Sequence, residues 1–231
     1  MNVAAILRSA RHQFTTRGSI GVFRMLWMRG YIRSQEWRYG VHTEAVVTRE
    51  ELGFGTSEFH EYAASDWRYL NKILTRLHLD YGSDVFVDYG AGMGRALIVA
   101  SGLPFKRVIG VEISPQLALI AEENIKNASR KLACADIRVI NIDATAFTIE
   151  PEMSIFYFFN SFHGQTLEVV LDAIRASIAA NPRLVRVICQ LPSESEFELQ
   201  IQQTPWLRKH DELRLKDGRK LLVFGSEMPL S

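Results

Sequence analysis

Cysteine, long apolar runs and net charge are all scarce in this chain. Cys134 and Cys189 are the two cysteines among 231 residues, and neither belongs to a CxxC pair. That excludes a disulfide framework and a cysteine-rich metal site, and it points to buried thiols in a reducing compartment. The six histidines include no pair at metal-ligand spacing. No apolar run approaches the ~18 residues that a membrane-spanning helix requires. The formal net charge is only +1, so nothing global indicates nucleic acid as a partner. A cytoplasmic location is the expectation. Hydrophobic residues at 47% and charged residues at 23% are ordinary for a folded α/β domain.

Acidic residues are missing from one place in particular. Residues 1–35 contain six arginines (Arg8, Arg11, Arg17, Arg24, Arg29 and Arg33) and no Asp or Glu. Apolar residues recur among them at helical spacing, as in "GVFRMLWMRGYI". Residues 1–50 therefore read as a helical, arginine-rich extension and residues 51–231 as the main domain. The extension could pack its helices on that domain with the arginines in water. It could instead offer a basic amphipathic surface to an anionic membrane or an acidic partner, or serve as an organellar presequence.

From residue 85 onward, short β-rich runs alternate with longer helical ones. "DVFVDYG", "KRVIGVEIS", "DIRVINIDA", "MSIFYFFNSF" and "RLVRVICQLP" read as five strands. Helices are expected between them: "RALIVAS"; a run opened by Ser114 as N-cap and Pro115 at the first helical position; and "TLEVVLDAIRASIAA", stopped by Asn181 and Pro182. Such alternation predicts a doubly wound, mostly parallel sheet with helices on both faces. "PWLRKHDELRLKDGRKLLVFGS" reads as a C-terminal antiparallel hairpin, which brings the sheet to about seven strands. "SEFHEYAASDWRYLNKILTRL" is expected to be one amphipathic helix leading into the first strand.

The first βα turn holds Gly90-Ala91-Gly92-Met93-Gly94, preceded by Asp88. The spacing G-x-G-x-G matches neither the dinucleotide fingerprint G-x-G-x-x-G nor the phosphate loop G-x-x-x-x-G-K-[ST]. An acid just before the turn would repel a pyrophosphate but suits a ligand bearing an ammonium group. Glu112 closes the second strand, where a carboxylate can accept from ribose hydroxyls. Asp143 closes the third, where one can accept from an adenine amine. All three acids fall at the carboxyl ends of expected parallel strands, the edge where open α/β sheets bind ligands.

In these respects residues 85–190 resemble the class I S-adenosylmethionine-dependent methyltransferases. "VDYGAGMGR" is similar to the first motif of that family, "VIGVEIS" to its acidic second-strand motif and "NIDAT" to its adenine-side motif. The resemblance implies S-adenosylmethionine as cofactor. Asp88, Gly90, Ala91, Gly92 and Gly94 would line its methionine and ribose portion, Glu112 and Ile113 the ribose, and Asp143 and Ala144 the adenine. Ile142 departs from the glycine that many members carry before the acid. In the segment "GFGTSEFHEYAASDW", Tyr62 or Ser65 could touch the methionine end, and Phe54, Phe59, Tyr62 and Trp67 could form a lid or a packed helix face.

The fourth strand ends in "FFNSFHG", similar to the Asn/Asp-Pro-Pro-aromatic motif of members that methylate amino groups, with Ser161 in place of proline. It is also similar to the "NN-aromatic" form of seven-strand histone-lysine methyltransferases. Asn160 would then accept from the target nitrogen, Phe162 would pack on it, and His163 is the best-placed base. The expected function is methyl transfer to N or O of a protein or small molecule. The rivals are a cofactor-binding module without catalysis and, less favoured by the glycine spacing, a Rossmann oxidoreductase.

Overall fold

The computed structural model describes residues 23, 26–44, 46–47, 62–192, 195–215 and 218–226. The chain divides into two compact units, Met1–Val41 and His42–Ser231. The first contains a helix, α1, over residues 26–39. Among the described residues no helix is long and apolar enough to cross a membrane.

The second unit begins with two short strands, β1 (Val46–Val47) and β2 (Tyr62–Ala63), which pair antiparallel. Helix α2 (Trp67–Arg76) follows. The sequence pattern suggested one helix over residues 57–77, but the first described part of that run is strand, and the helix starts later. The reason is a local cap: Asp66 sits in extended conformation and its Oδ1 accepts the Arg68 N–H at 2.9 Å, which defines the first turn at Trp67. Residues 57–61, with Phe54 and Phe59, lie outside the described residues.

The main sheet comprises β3 (Val85–Tyr89), β4 (Arg107–Glu112), β5 (Ile137–Asn141), β6 (Met153–Phe158), β7 (Arg186–Leu191), β8 (Leu207–Arg214) and β9 (Lys220–Ser226). Their spatial order is β5-β4-β3-β6-β7-β9-β8. Strands β3 to β7 run parallel, while β9 lies antiparallel to both β7 and β8. This is the doubly wound α/β sheet with the C-terminal hairpin that the sequence pattern anticipates. Residues 216–217 of the hairpin turn lie outside the described residues. Leu215 N–H donates to the Arg219 carbonyl across it, and Gly218 takes φ +91°.

Helices α3 (Arg95–Ser101), α4 (Pro115–Ala128) and α5 (Gly164–Ala180) connect the strands. Ser114 caps α4 and Asn181 ends α5, as their sequence signals indicate. A sixth helix, α6 (Glu196–Gln202), was not apparent in the sequence. Seven residues are too few for a clear period, and only Phe197 and Ile201 turn inward.

The central strands are buried on both faces, which is why they read as unbroken apolar runs. On one face Val87, Tyr89, Phe156, Phe158 and Val187 pack against Leu167, Val170, Leu171 and Ile174 of α5. Tyr89 and Phe158 stack at 5.1 Å and 7°. Each fully buried large side chain contributes about 1.5–3 kcal/mol over its exposed state. On the other face Phe86 stacks on Tyr157, and Asp88 pairs in register with Tyr157. The chain order reverses between β3 and β6. This is the switch point where a crevice opens at the carboxyl edge of such a sheet.

Candidate functional site

The glycine turn sits at that switch point, directly after β3. Gly90, Gly92 and Gly94 have φ of +83°, +55° and +83°, a region that side chains with a Cβ adopt only under strain. Two of these positions are also sterically closed. A Cβ on Gly90 would lie 2.7 Å from Ser161 Oγ, and one on Gly94 would lie 3.1 Å from the Ala121 Cβ of α4. Gly110 on β4 is a further close approach, since a Cβ there would meet Ala91 at 2.8 Å. The turn is held to β4 through its backbone: the N–H groups of Gly90 and Ala91 both donate to the Val111 carbonyl.

Glu112 organises the same corner. Its Oε2 accepts the Gly92 N–H at 2.7 Å and its Oε1 accepts the Ser114 N–H at 2.8 Å. A carboxylate can accept about four hydrogen bonds, which leaves Glu112 capacity for a ligand hydroxyl. Burial pushes the Glu112 pKa up, and the donated N–H groups partly counter this. Asp88 is only 2% exposed. Its pKa is raised well above the ordinary carboxylate value, first by burial and then by the negative charge of Glu112. Two buried acids of like charge flank one turn, an arrangement that a cation would relieve.

A pocket opens beside the turn, lined by Ser65, Asp88, Gly90, Arg95, Tyr157 and Phe159 among others. Arg95, the residue after the last glycine, is 4% exposed. Its Nε donates to Thr43 Oγ1 at 2.7 Å and its Nη1 to the Ser65 carbonyl at 3.0 Å, while its guanidinium lies 5.5 Å from the Trp67 ring centroid. Asn124 of α4 exchanges hydrogen bonds with the His42 backbone and donates to the Met93 carbonyl. These two side chains fasten residues 42–43 and 65 over the glycine turn. Arg95, Tyr157 and Phe159 were not singled out from sequence, although Arg95 follows the third glycine directly.

Other expected site residues lie around this centre. Ile113 is half-buried beside Glu112, and its carbonyl accepts from Asn141 Nδ2. Asp143 caps a single turn at Ala144–Ala146, accepting from the Thr145 N–H and hydroxyl. Ala144 is buried below it. Tyr62 lies in β2, but its side chain is outside the described residues.

The end of β6 builds a second corner from side chains. Asn160 has φ +46°, a left-handed conformation that asparagine tolerates better than most residues. Its Oδ1 accepts from Ser195 Oγ at 2.9 Å. His163 Nε2 lies 3.1 Å from a carboxylate oxygen of Glu196, itself 79% exposed. Gln200 of α6 accepts the Gly164 N–H and donates to the Gly164 carbonyl. Ser161 donates to the Tyr89 carbonyl, closing the polypeptide over Gly90 and joining the two corners. Phe162 differs from expectation. It is 3% exposed and packs edge-on against Tyr89 and Phe158, so its ring belongs to the core. Phe159 is the aromatic residue that reaches the pocket.

The family model described as "Histone methylation protein DOT1" matches residues 54–151, under half of the chain. No curated protein sequence matches. Among solved structures, a SAM-dependent methyltransferase from Aquifex aeolicus is 15% identical, with 69% of this chain and 90% of that one covered at a TM-score of 0.56. The ribosomal protein L11 methylase of Lactobacillus delbrueckii subsp. bulgaricus is 16% identical over 72% and 81% of the two chains, at 0.55. The magnesium protoporphyrin IX methyltransferase of Synechocystis PCC 6803, solved with bound SAM, is 13% identical over 70% and 79%, at 0.52. The strand order, the glycine turn at the switch point and these likenesses agree: the chain has the class I, seven-strand fold of S-adenosylmethionine-dependent methyltransferases.

Proposed function

We propose that the protein is a methyltransferase that takes its methyl group from S-adenosylmethionine and passes it to N or O of a protein or small-molecule acceptor. The observation that carries this reading is the pair of buried carboxylates, Asp88 and Glu112, on either side of a turn of positive-φ glycines. The pair repels a pyrophosphate and welcomes a ligand with positive charge, which separates this donor from a nicotinamide dinucleotide. Glu112 has lone pairs left for ribose hydroxyls, and Asp143 stands at the neighbouring strand end for an adenine amine. Ala91 and Gly92 allow close backbone approach, Gly94 turns the chain into α3, and Arg95 holds the covering segment in place. When bound, S-adenosylmethionine supplies a methyl carbon on a sulfonium, an electrophile with its own leaving group.

The remaining work for the chain is alignment and exclusion of water, and a strong base is optional. Asn160 at the end of β6 would orient the acceptor, and His163 would receive the proton lost as the new bond to N or O forms. The "histone methylation" description of the matching family model makes a protein amino group the first acceptor to try. One observation favours a second reading, a donor-binding module without catalysis: the Asn160 oxygen is already engaged by Ser195.

Transfer of radiolabelled methyl from S-adenosylmethionine to protein, lipid and small-molecule extracts tests the proposal. The full chain is expected to label a discrete acceptor, and Asn160→Ala to cut the rate about 10- to 100-fold with donor binding unchanged. Donor binding without label in any fraction would replace the enzyme with the module. An Asn160→Ala chain that labels at the full rate would remove Asn160 from the site.

A further inference from the structure

Helix α1 exposes large apolar side chains along one face. Residues 26, 27, 30, 33, 34, 37 and 38 are its exposed positions, one continuous face at helical spacing. On that face Leu26 is 51% exposed, Trp27 50% and Trp37 86%, and the helical residue Phe23 is 71% exposed. At about 100° per residue Leu26, Trp27 and Trp37 fall within an arc of roughly 100°. Gly30 and Ser34 lie between them and keep the stripe free of charge. Arg33 borders it on one side and Arg38 on the other, both exposed. An amphipathic helix in water normally turns its apolar stripe inward. A contiguous exposed stripe marks a surface that another phase or molecule covers.

Charge selects the occupant. Residues 1–41 contain seven arginines against the single Glu36, a net charge of +6, whereas the whole chain is +1. The other 190 residues therefore carry −5. The cationic part and the exposed apolar stripe coincide in one short unit, and the remainder of the chain has no such attraction to an anionic surface. We propose that α1 docks on an anionic lipid bilayer, lying in the interface plane. Phe23, Leu26, Trp27 and Trp37 enter the headgroup–acyl boundary, and Arg33 and Arg38 reach lipid phosphates at its margins. Tryptophan at the stripe suits this depth, since its ring is apolar and its N–H stays in the headgroup layer. A nucleic acid would be met by cations at the centre of the face; here the centre is apolar and the cations lie at the rim. This surface is independent of the methyl-donor reading.

The test is co-sedimentation of the full chain with vesicles of phosphatidylcholine alone and of phosphatidylcholine with about one-third phosphatidylglycerol. Binding is expected to the anionic vesicles, falling as salt is raised. Leu26→Ser with Trp37→Ser is expected to weaken it at least about tenfold. Arg33→Glu with Arg38→Glu is expected to weaken it more than about twentyfold, from about fivefold for each arginine near such a surface. The substituted side chains are exposed, so circular dichroism and melting should match the parent; if one pair fails to fold, the other pair and the salt dependence still decide. The proposal is overturned by any of four results: no sedimentation with anionic vesicles, equal binding by both variants and the parent, tight binding to duplex DNA or RNA with vesicles ignored, or a dimer in light scattering that Trp37→Ser dissociates while vesicles leave it intact.

Discussion

The two corners of the site are made from different materials. The corner proposed to hold the donor is built by backbone: three glycines at positive φ, two N–H groups on the Val111 carbonyl and one on Glu112 fix its shape. The corner proposed to meet the acceptor is built by side chains that meet from separate stretches, with Asn160 on Ser195, His163 on Glu196 and Gln200 on Gly164. Backbone geometry admits few residue types, so the donor corner resists change. A side-chain corner can be rebuilt one residue at a time, so one donor site can serve many acceptors.

The largest effect expected from this contrast is at Gly90. Gly90→Val requires positive φ in a β-branched residue and pushes a Cβ into Ser161. Donor binding measured by calorimetry should fall more than about 100-fold, with a loss of stability on the scale of a strained backbone, about 1–3 kcal/mol. A variant that binds within about threefold of the parent would show that the turn does not need glycine. The rate loss expected for Asn160→Ala stands second, because it touches the acceptor corner alone and leaves the backbone intact.

The smallest effect separates binding from stability at Asp88. Burial and Glu112 raise the folded-state pKa of Asp88 above its unfolded value. Its neutral form thus favours folding in full below the ordinary carboxylate pKa, and that contribution is lost as pH rises toward the raised value. Asp88→Asn removes this loss. Its melting temperature near pH 7 should exceed that of the parent by a few degrees, at about 2–4 °C per kcal/mol for a chain of this size. Donor affinity should move the opposite way. An Asp88→Asn chain that melts lower than the parent would mean that the carboxylate stabilises the empty site.

The same contrast explains what the sequence revealed. Glycine at 90, 92 and 94 and acids at 88, 112 and 143 stand out in the sequence because conformation and charge restrict residue type at such a turn and at the neighbouring strand ends. The sheet was legible for a similar reason: strands buried on both faces must be continuously apolar, and Ser114 and Asn181 mark helix ends by local chemistry. The acceptor corner depends on which distant side chains meet, and no local rule pairs Asn160 with Ser195 or His163 with Glu196. Helix α6 was too short to show a period. The start of α2 was decided by the Asp66 cap rather than by the amphipathic run before it. Phe162 looked like a site aromatic from its neighbours, yet past the end of β6 the chain passes through the left-handed Asn160, Phe162 packs on Tyr89 and Phe158, and Phe159 lines the pocket.

The most direct measurement of the central claim is a calorimetric titration of the full chain with S-adenosylhomocysteine, the demethylated donor, and in parallel with NAD. Saturable one-to-one binding of the first, lost on Glu112→Ala, is expected, with no heat of binding from the second. Binding of NAD, or S-adenosylhomocysteine affinity unchanged by Glu112→Ala, would contradict it.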